Sequence, residues 1–134
     1  MYCGERAPDY NAEGGFYLVP YDTSDPENRY VKAGVAIGGL MAISQKCAHL
    51  GCRVPFCAQS GWFECPCHQS KYNLAGEKML GPAPAGLWRF AMEIDADGVL
   101  LVDTSESMAQ PELGVDTLHR PPAGPFCVAV HGDG

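Results

Sequence analysis

The chain is poor in positive charge, long apolar runs and helical periodicity. Of its 134 residues only 9 are Lys or Arg, against 16 Asp or Glu, for a net charge of −7. A nucleic-acid-binding surface needs cations to displace counterions, and an anionic membrane surface also attracts cations, so neither partner is expected. The longest stretch free of charge and strong polarity, Gly34 to Ile43, falls far short of the about 20 apolar residues of a membrane-spanning helix. The start, Met1-Tyr2-Cys3-Gly4-Glu5-Arg6, has neither a cationic region nor an apolar core, so no signal peptide is expected there. No segment holds a 3.6-residue period for three turns, and no internal repeat is visible.

What the chain does have is turn residues, short apolar runs and cysteine. Gly and Pro number 16 and 11, and 46% of residues are hydrophobic, enough to fold a core. Phe16 to Val19 reads as a strand stopped by Pro20, and Tyr21 to Asn28 as a loop. Leu40 to Ser44, Trp62 to Cys65 and Lys71 to Asn73 read as further strands. Leu87 to Ile94 alternates in part, Asp95-Ala96-Asp97-Gly98 is a turn signal, and Val99 to Val102 pairs back as a hairpin. From Ser105 the chain reads as an irregular tail lying against the β core. The class is antiparallel all-β.

Seven cysteines, Cys3, Cys47, Cys52, Cys57, Cys65, Cys67 and Cys127, are many for an intracellular protein without a metal and an odd number for a secreted disulfide scaffold. Two segments concentrate the chemistry: C-A-H-L-G-C at 47–52 and C-P-C-H-Q-S-K-Y at 65–72. Each offers a Cys and a His at ligand spacing, C-x-H and C-x-x-H, with fifteen residues between. Short spacing brings both ligands of a segment into one tight loop, and two such loops facing each other enclose a metal. A Cys2His2 zinc site remains an alternative, but zinc fingers order their ligands Cys, Cys, His, His. Zinc would also leave Cys52 and Cys67 unexplained. A [2Fe–2S] cluster with two Cys on one iron and two His on the other uses all four ligands.

At these residues, together with G-P-A-P at 81–84, the chain resembles the Rieske iron–sulfur proteins, specifically those of quinol:cytochrome c reductases of the bc type. The resemblance is specific over about residues 44–90. Through R-V-P-F-C at 53–57 and W-F-E-C at 62–65 it is nearest the bacterial menaquinol-type variants. It implies a Rieske-type β-sandwich in which a base of about 15–44 and 87–104 carries an inserted cluster-binding subdomain of about 45–86, with the tail at 105–134. It implies one [2Fe–2S] cluster per chain, with Cys47 and Cys65 on one iron and His49 and His68 on the other. Cys52 and Cys67 would form a disulfide joining the loops, and Gly81, Pro82, Ala83 and Pro84 a loop covering the cluster. Ser70 and Tyr72 would donate hydroxyl hydrogen bonds to sulfurs. Where the family usually has Gly, this chain has Gln69. A positive φ at that position costs a non-glycine residue about 1 kcal/mol.

The resemblance further implies a high-potential one-electron carrier that oxidises quinol and passes the electron to a c-type cytochrome. His68 would contact the quinol, His49 would be its exposed partner, and Leu50 with the 81–84 loop would dock on a cytochrome b subunit. Imidazole ligands donate less electron density than thiolates and make reduction easier. Hydroxyl donors stabilise the added electron. A disulfide fits an oxidising compartment, the extracytoplasmic face of an energy-transducing membrane, with the chain as a soluble head whose anchor lies elsewhere. A Rieske-type ferredoxin or a small redox subunit of another oxidoreductase is the alternative, although oxygenase-type ferredoxins lack the second Cys of each motif. Cys57 and Cys127 are candidates for a second disulfide tying down the tail, which leaves Cys3 over. His119 and His131 read as surface residues, and Trp62, Phe63 and Trp88 as core.

Overall fold

Apolar runs broken by glycine and proline give strands of two to nine residues. The computed structural model describes residues 9–11, 13–46, 52–67 and 69–127. In chain order the elements are β1 (Asp9–Asn11), β2 (Phe16–Pro20), α1 (Arg29–Lys32), β3 (Ala36–Ile37), β4 (Leu40–Ser44), β5 (Phe56–Cys57), β6 (Trp62–Glu64), β7 (Lys71–Tyr72), β8 (Lys78–Leu80), β9 (Arg89–Ile94) and β10 (Leu100–Met108). All strand pairings are antiparallel. Among the described residues helix is confined to the single turn of α1, so the antiparallel all-β class read from the sequence is the one observed. The chain divides into two units: Met1–Ser44 with Trp88–Ala109, and Gln45–Leu87 with Gln110–Gly134.

In the first unit the strand order is β1-β2-β4-β9-β10, with β3 also pairing with β4. The register sets Tyr17 opposite Ile43 and Leu18 opposite Ala42, so alternate residues separate onto two faces. One face packs Phe16, Ala42, Phe90 and Met92, flanked by Leu18, Ile37, Leu100 and Val102. The Phe16 and Phe90 rings meet edge to face at 6.2 Å. The other face buries Tyr17, Val19, Met41 and Ile43, so the central strands are covered on both sides. Arg89, opposite Ile43, is fully buried, with its guanidinium 4.4 Å over the Tyr30 ring. A desolvated cation on an aromatic face contributes about 2 kcal/mol. Tyr30 is held by the cap of α1: Asn28 Oδ1 accepts from Tyr30 N at 2.8 Å while Asn28 Nδ2 donates to Tyr21 Oη at 3.0 Å. The Gly38-Gly39 pair turns β3 into β4 with φ of 63° and 81°, the positive values that a two-residue hairpin turn needs.

The second unit has a four-stranded sheet in the order β5-β6-β7-β8. Its strands of two or three residues bury little by themselves, and the segment 110–127 supplies the rest. That segment contains no strand. Its Thr117 donates from the backbone N to Glu77 Oε1 at 2.8 Å and from Oγ1 to Glu77 Oε2 at 2.7 Å. Asn73 Nδ2 donates to the same buried carboxyl group at 2.9 Å. Further along, Ala123 N donates to Ser60 O at 2.8 Å, Phe126 packs on Trp62 at 5.8 Å, and Cys127 is disulfide-bonded to Cys57.

Two sequence readings change. The tail does not begin at Ser105, because β10 continues to Met108 beyond an irregularity between Asp103 and Ser107. There Asp103 Oδ1 accepts from Ser105 N and Ser105 Oγ. The strand is exposed and lies at the sheet edge, so its polar run D-T-S-E-S carries no inward alternation to read. Trp88 is not core but 38% exposed. Leu87 and Arg89 on either side take the buried direction, and alternation turns the residue between them outward.

The Glu77–Thr117 contact yields a stability prediction. Thr117→Val should cost about 1–3 kcal/mol in chemical denaturation by leaving a buried acceptor unmatched. It should also speed proteolysis within 110–127. Thr117→Ser, which keeps the hydroxyl, should stay near the parent protein.

Candidate metal centre

The two motif segments occupy the loops β4–β5 and β6–β7. The first is closed at its feet by a bridge between Lys46 and Arg53 and by Val54 N donating to Gln45 O at 2.7 Å. The second is closed by Cys65 N donating to Ser70 O at 2.8 Å. Cys47, His49, Leu50 and His68 lie outside the described residues, as do Cys3 and His131. Of the four expected ligands the structure therefore describes Cys65. It is fully buried at the end of β6 and, among the described cysteines, stands outside both disulfides.

Cys52 and Cys67 are disulfide-bonded with Cα atoms 6.6 Å apart, which ties the first loop to the second. The sulfurs of Cys52, Cys65 and Cys67 lie within 4.8 Å of one another. A buried thiol outside both described disulfides, beside a crosslink that joins the two motif loops, fits a thiolate-bound metal group. A zinc finger would use both cysteines of a loop as ligands, and here Cys67 is taken up by the crosslink. Cys57 and Cys127 form the second disulfide, with Cα atoms 5.9 Å apart.

The segment 81–84 rests against the second loop. Ala83 N donates to Ser70 Oγ at 3.1 Å. Because that hydroxyl accepts here, its own hydrogen is left to donate to another acceptor, which is what a contact to sulfur requires. Gly81 has a φ of 98°, and a Cβ there would stand 2.5 Å from Ser70 Cα and 2.9 Å from Ser70 N. Only glycine lets these two backbones approach so closely. Ser70 and Tyr72 are both fully buried, and Tyr72 is paired with Phe63 on β6. Gln69 has a φ of 65°, the left-handed conformation that glycine adopts without cost.

Sequence reasoning missed the charged residues behind these loops. Glu64 and Lys71 face each other across β6 and β7 and are both buried. Ser60 Oγ donates to Glu64 Oε2 at 2.7 Å, and Lys71 Nζ donates to Gln69 O at 3.2 Å. Burial pushes the Lys71 pKa down, opposed by Glu64 and Cys65. The only signal in the sequence was charge inside otherwise apolar strands. His119 is exposed with its backbone N on Asp116 Oδ1, in keeping with a surface role.

A family model for the Rieske [2Fe–2S] domain matches residues 27–92, a span that includes both motif loops and the 81–84 segment. The cytochrome b6-f complex iron–sulfur subunit of Prochlorococcus marinus (strain MIT 9215) is 42% identical over 92 residues, 67% of this chain and 50% of that protein. The same subunit of Synechococcus elongatus (strain ATCC 33912 / PCC 7942 / FACHB-805) is 37% identical over 99 residues, 74% of this chain and 54% of that protein. The chain thus spans about half the length of these curated relatives. A solved cyanobacterial plasma membrane Rieske protein from Synechocystis PCC 6803 aligns with 72% of this chain and 83% of its own, at 25% identity and a TM-score of 0.49.

Gln69→Gly should stabilise the protein by up to about 1 kcal/mol in chemical denaturation, because glycine removes the left-handed strain but loses more chain entropy. A loss of stability instead would mean that the Gln69 side chain contributes more than its backbone costs.

Proposed function

Because the chain belongs to the Rieske [2Fe–2S] family, we propose that it is the high-potential electron carrier of a quinol-oxidising, bc-type cytochrome complex. The observation that carries this reading is the Cys52–Cys67 disulfide beside the buried, uncrosslinked Cys65. It leaves one Cys and one His per motif for ligation. Cys47 and Cys65 would hold one iron, and His49 and His68 the other. When bound, the cluster supplies a one-electron couple.

The chain's own residues then do the rest. His68 and His49, once each bound iron through one ring nitrogen, would keep an N–H on the other, and His68 is the proposed contact for the quinol hydroxyl. Ser70 and Tyr72 donate hydroxyl hydrogens toward the sulfurs, which favours the reduced state. Leu50 and the 81–84 segment are the proposed docking residues for a cytochrome b subunit, and a c-type cytochrome is the proposed acceptor. The net charge of −7 suits docking to a basic cytochrome. Two disulfides support the oxidising, extracytoplasmic side of an energy-transducing membrane. No helix among the described residues is long and apolar enough to cross that membrane.

The test is iron and acid-labile sulfide analysis together with a redox titration followed by electron paramagnetic resonance. About two irons and two sulfides per chain are expected, and stoichiometric zinc without labile sulfide would overturn the reading. Ala at any of Cys47, His49, Cys65 or His68 should abolish the cluster.

The hydroxyls give a graded prediction. A hydrogen bond is worth about 0.5–1.5 kcal/mol, more to a charged acceptor, and about 1.4 kcal/mol equals 59 mV for one electron. Ser70→Ala and Tyr72→Phe should therefore each lower the potential by some tens of millivolts, up to about 100. The effects should roughly add, because the hydroxyls address different sulfurs. Unchanged potentials in both variants would remove the hydroxyls from the site.

A further inference from the structure

Behind the second motif loop lies a buried charged pair that takes no part in the proposed electron transfer, and whose effect on the centre presupposes that role. Lys71 is the first residue of β7. In the strand it alternates with Tyr72 and so projects from the opposite face. Its side chain has no solvent exposure. Its Nζ donates to Gln69 O at 3.2 Å and stands 5.0 Å over the Phe126 ring, contacts that accommodate an ammonium group. It is paired across the strands with Glu64, the neighbour of Cys65, and Cys65 N donates to Ser70 O at 2.8 Å, which sets Lys71 beside the expected ligand Cys65. Phe126 belongs to the C-terminal segment. It is anchored by its neighbour Cys127 through the bond to Cys57 and by packing on Trp62. This cover lies outside the span matched by the family model, which ends at residue 92.

We infer that Lys71, sealed from water by Phe126, is a fixed positive charge that raises the reduction potential of the metal centre, and that the C-terminal segment serves to keep that charge desolvated. Electron uptake adds one negative charge to the centre and makes or breaks no bond at Lys71. The ammonium therefore acts through space and favours the reduced state. A charge held in low dielectric is felt far more strongly than one in water. Glu64, across the strand pair, opposes the effect, so the potential reflects the difference between the two.

The experiment is a redox titration of the purified protein and its Lys71→Gln, Lys71→Arg, Glu64→Gln and Phe126→Ala variants, followed by electron paramagnetic resonance. Lys71→Gln should lower the potential by about a tenfold change in the electron-uptake equilibrium, 59 mV for one electron, with the signal shape retained. Lys71→Arg should restore most of it. Glu64→Gln should move it upward, and Phe126→Ala should move it part of the way toward Lys71→Gln by admitting water. A cluster that is present with unmoved potentials in Lys71→Gln and Phe126→Ala overturns the inference and leaves the electron-carrier reading intact. A parent protein without a cluster overturns both. Where Lys71→Gln fails to assemble, Glu64→Gln and Phe126→Ala decide: shifts in the stated directions support the inference, and the lack of any shift refutes it.

Discussion

The Cys52–Cys67 bond is the constraint on which the candidate centre depends. It joins two loops that have little apolar material of their own, at a sequence separation of 15. In the chain-entropy account such a closure contributes about 3 kcal/mol. A metal group held by one Cys and one His from each loop needs both loops in fixed register before it binds. The crosslink meets that need covalently, and it also withdraws Cys67 from competing with Cys65 as a ligand.

The same shortage of apolar material shapes the whole second unit. Strands of two and three residues cannot bury enough apolar surface to offset chain entropy. The C-terminal segment compensates by three different means. The Cys57–Cys127 bond closes a separation of 70 residues, worth about 4 kcal/mol in the same account. Phe126 adds aromatic packing on Trp62. Glu77 gathers hydrogen bonds from Asn73 and Thr117, so a buried carboxyl group joins the β7–β8 hairpin to a segment with no regular structure. Glycine permits the close contacts: a Cβ on Gly86 would meet Pro111 Cγ at 2.4 Å and Gly76 O at 2.7 Å.

Much of this was legible in the residues, and what was not has physical causes. β2, β4 and the β9–β10 turn were readable because apolar alternation ends in Pro20, Ser44 and Asp95-Ala96-Asp97-Gly98. The class followed from the lack of any helical period. β3 was missed although Gly38-Gly39 between two apolar pairs is a hairpin signal; two-residue strands are too short for alternation to register. The turn of α1 depends on the Asn28 cap and on Tyr30 beneath Arg89, a tertiary contact with no local pattern. In the site, candidate ligand types and spacing could be named because metal chemistry restricts them, and of those four candidates Cys65 lies among the described residues. The pairing of Cys57 with Cys127 was a candidate with no geometry behind it. Buried Glu64, Lys71 and Glu77 escaped the reading because charged residues in short strands ordinarily face water.

Ser70 shows how the parts converge. Its carbonyl closes the second loop on Cys65, its Oγ receives the 81–84 segment through Ala83, and its Cα is the surface against which Gly81 packs. One residue thus fixes the loop, the cover and the direction left to its own hydroxyl hydrogen. The two left-handed positions around it have their cause here. Gly81 is required by the approach itself. Gln69 turns the chain between the expected ligand His68 and Ser70, accepting a strain that glycine would avoid. Its carbonyl receives Lys71 Nζ, so the strained turn is tied by a charged hydrogen bond to the buried side of the sheet. The backbone conformation at 69 therefore links the front of the loop, where the ligands are expected, to the charged pair behind it.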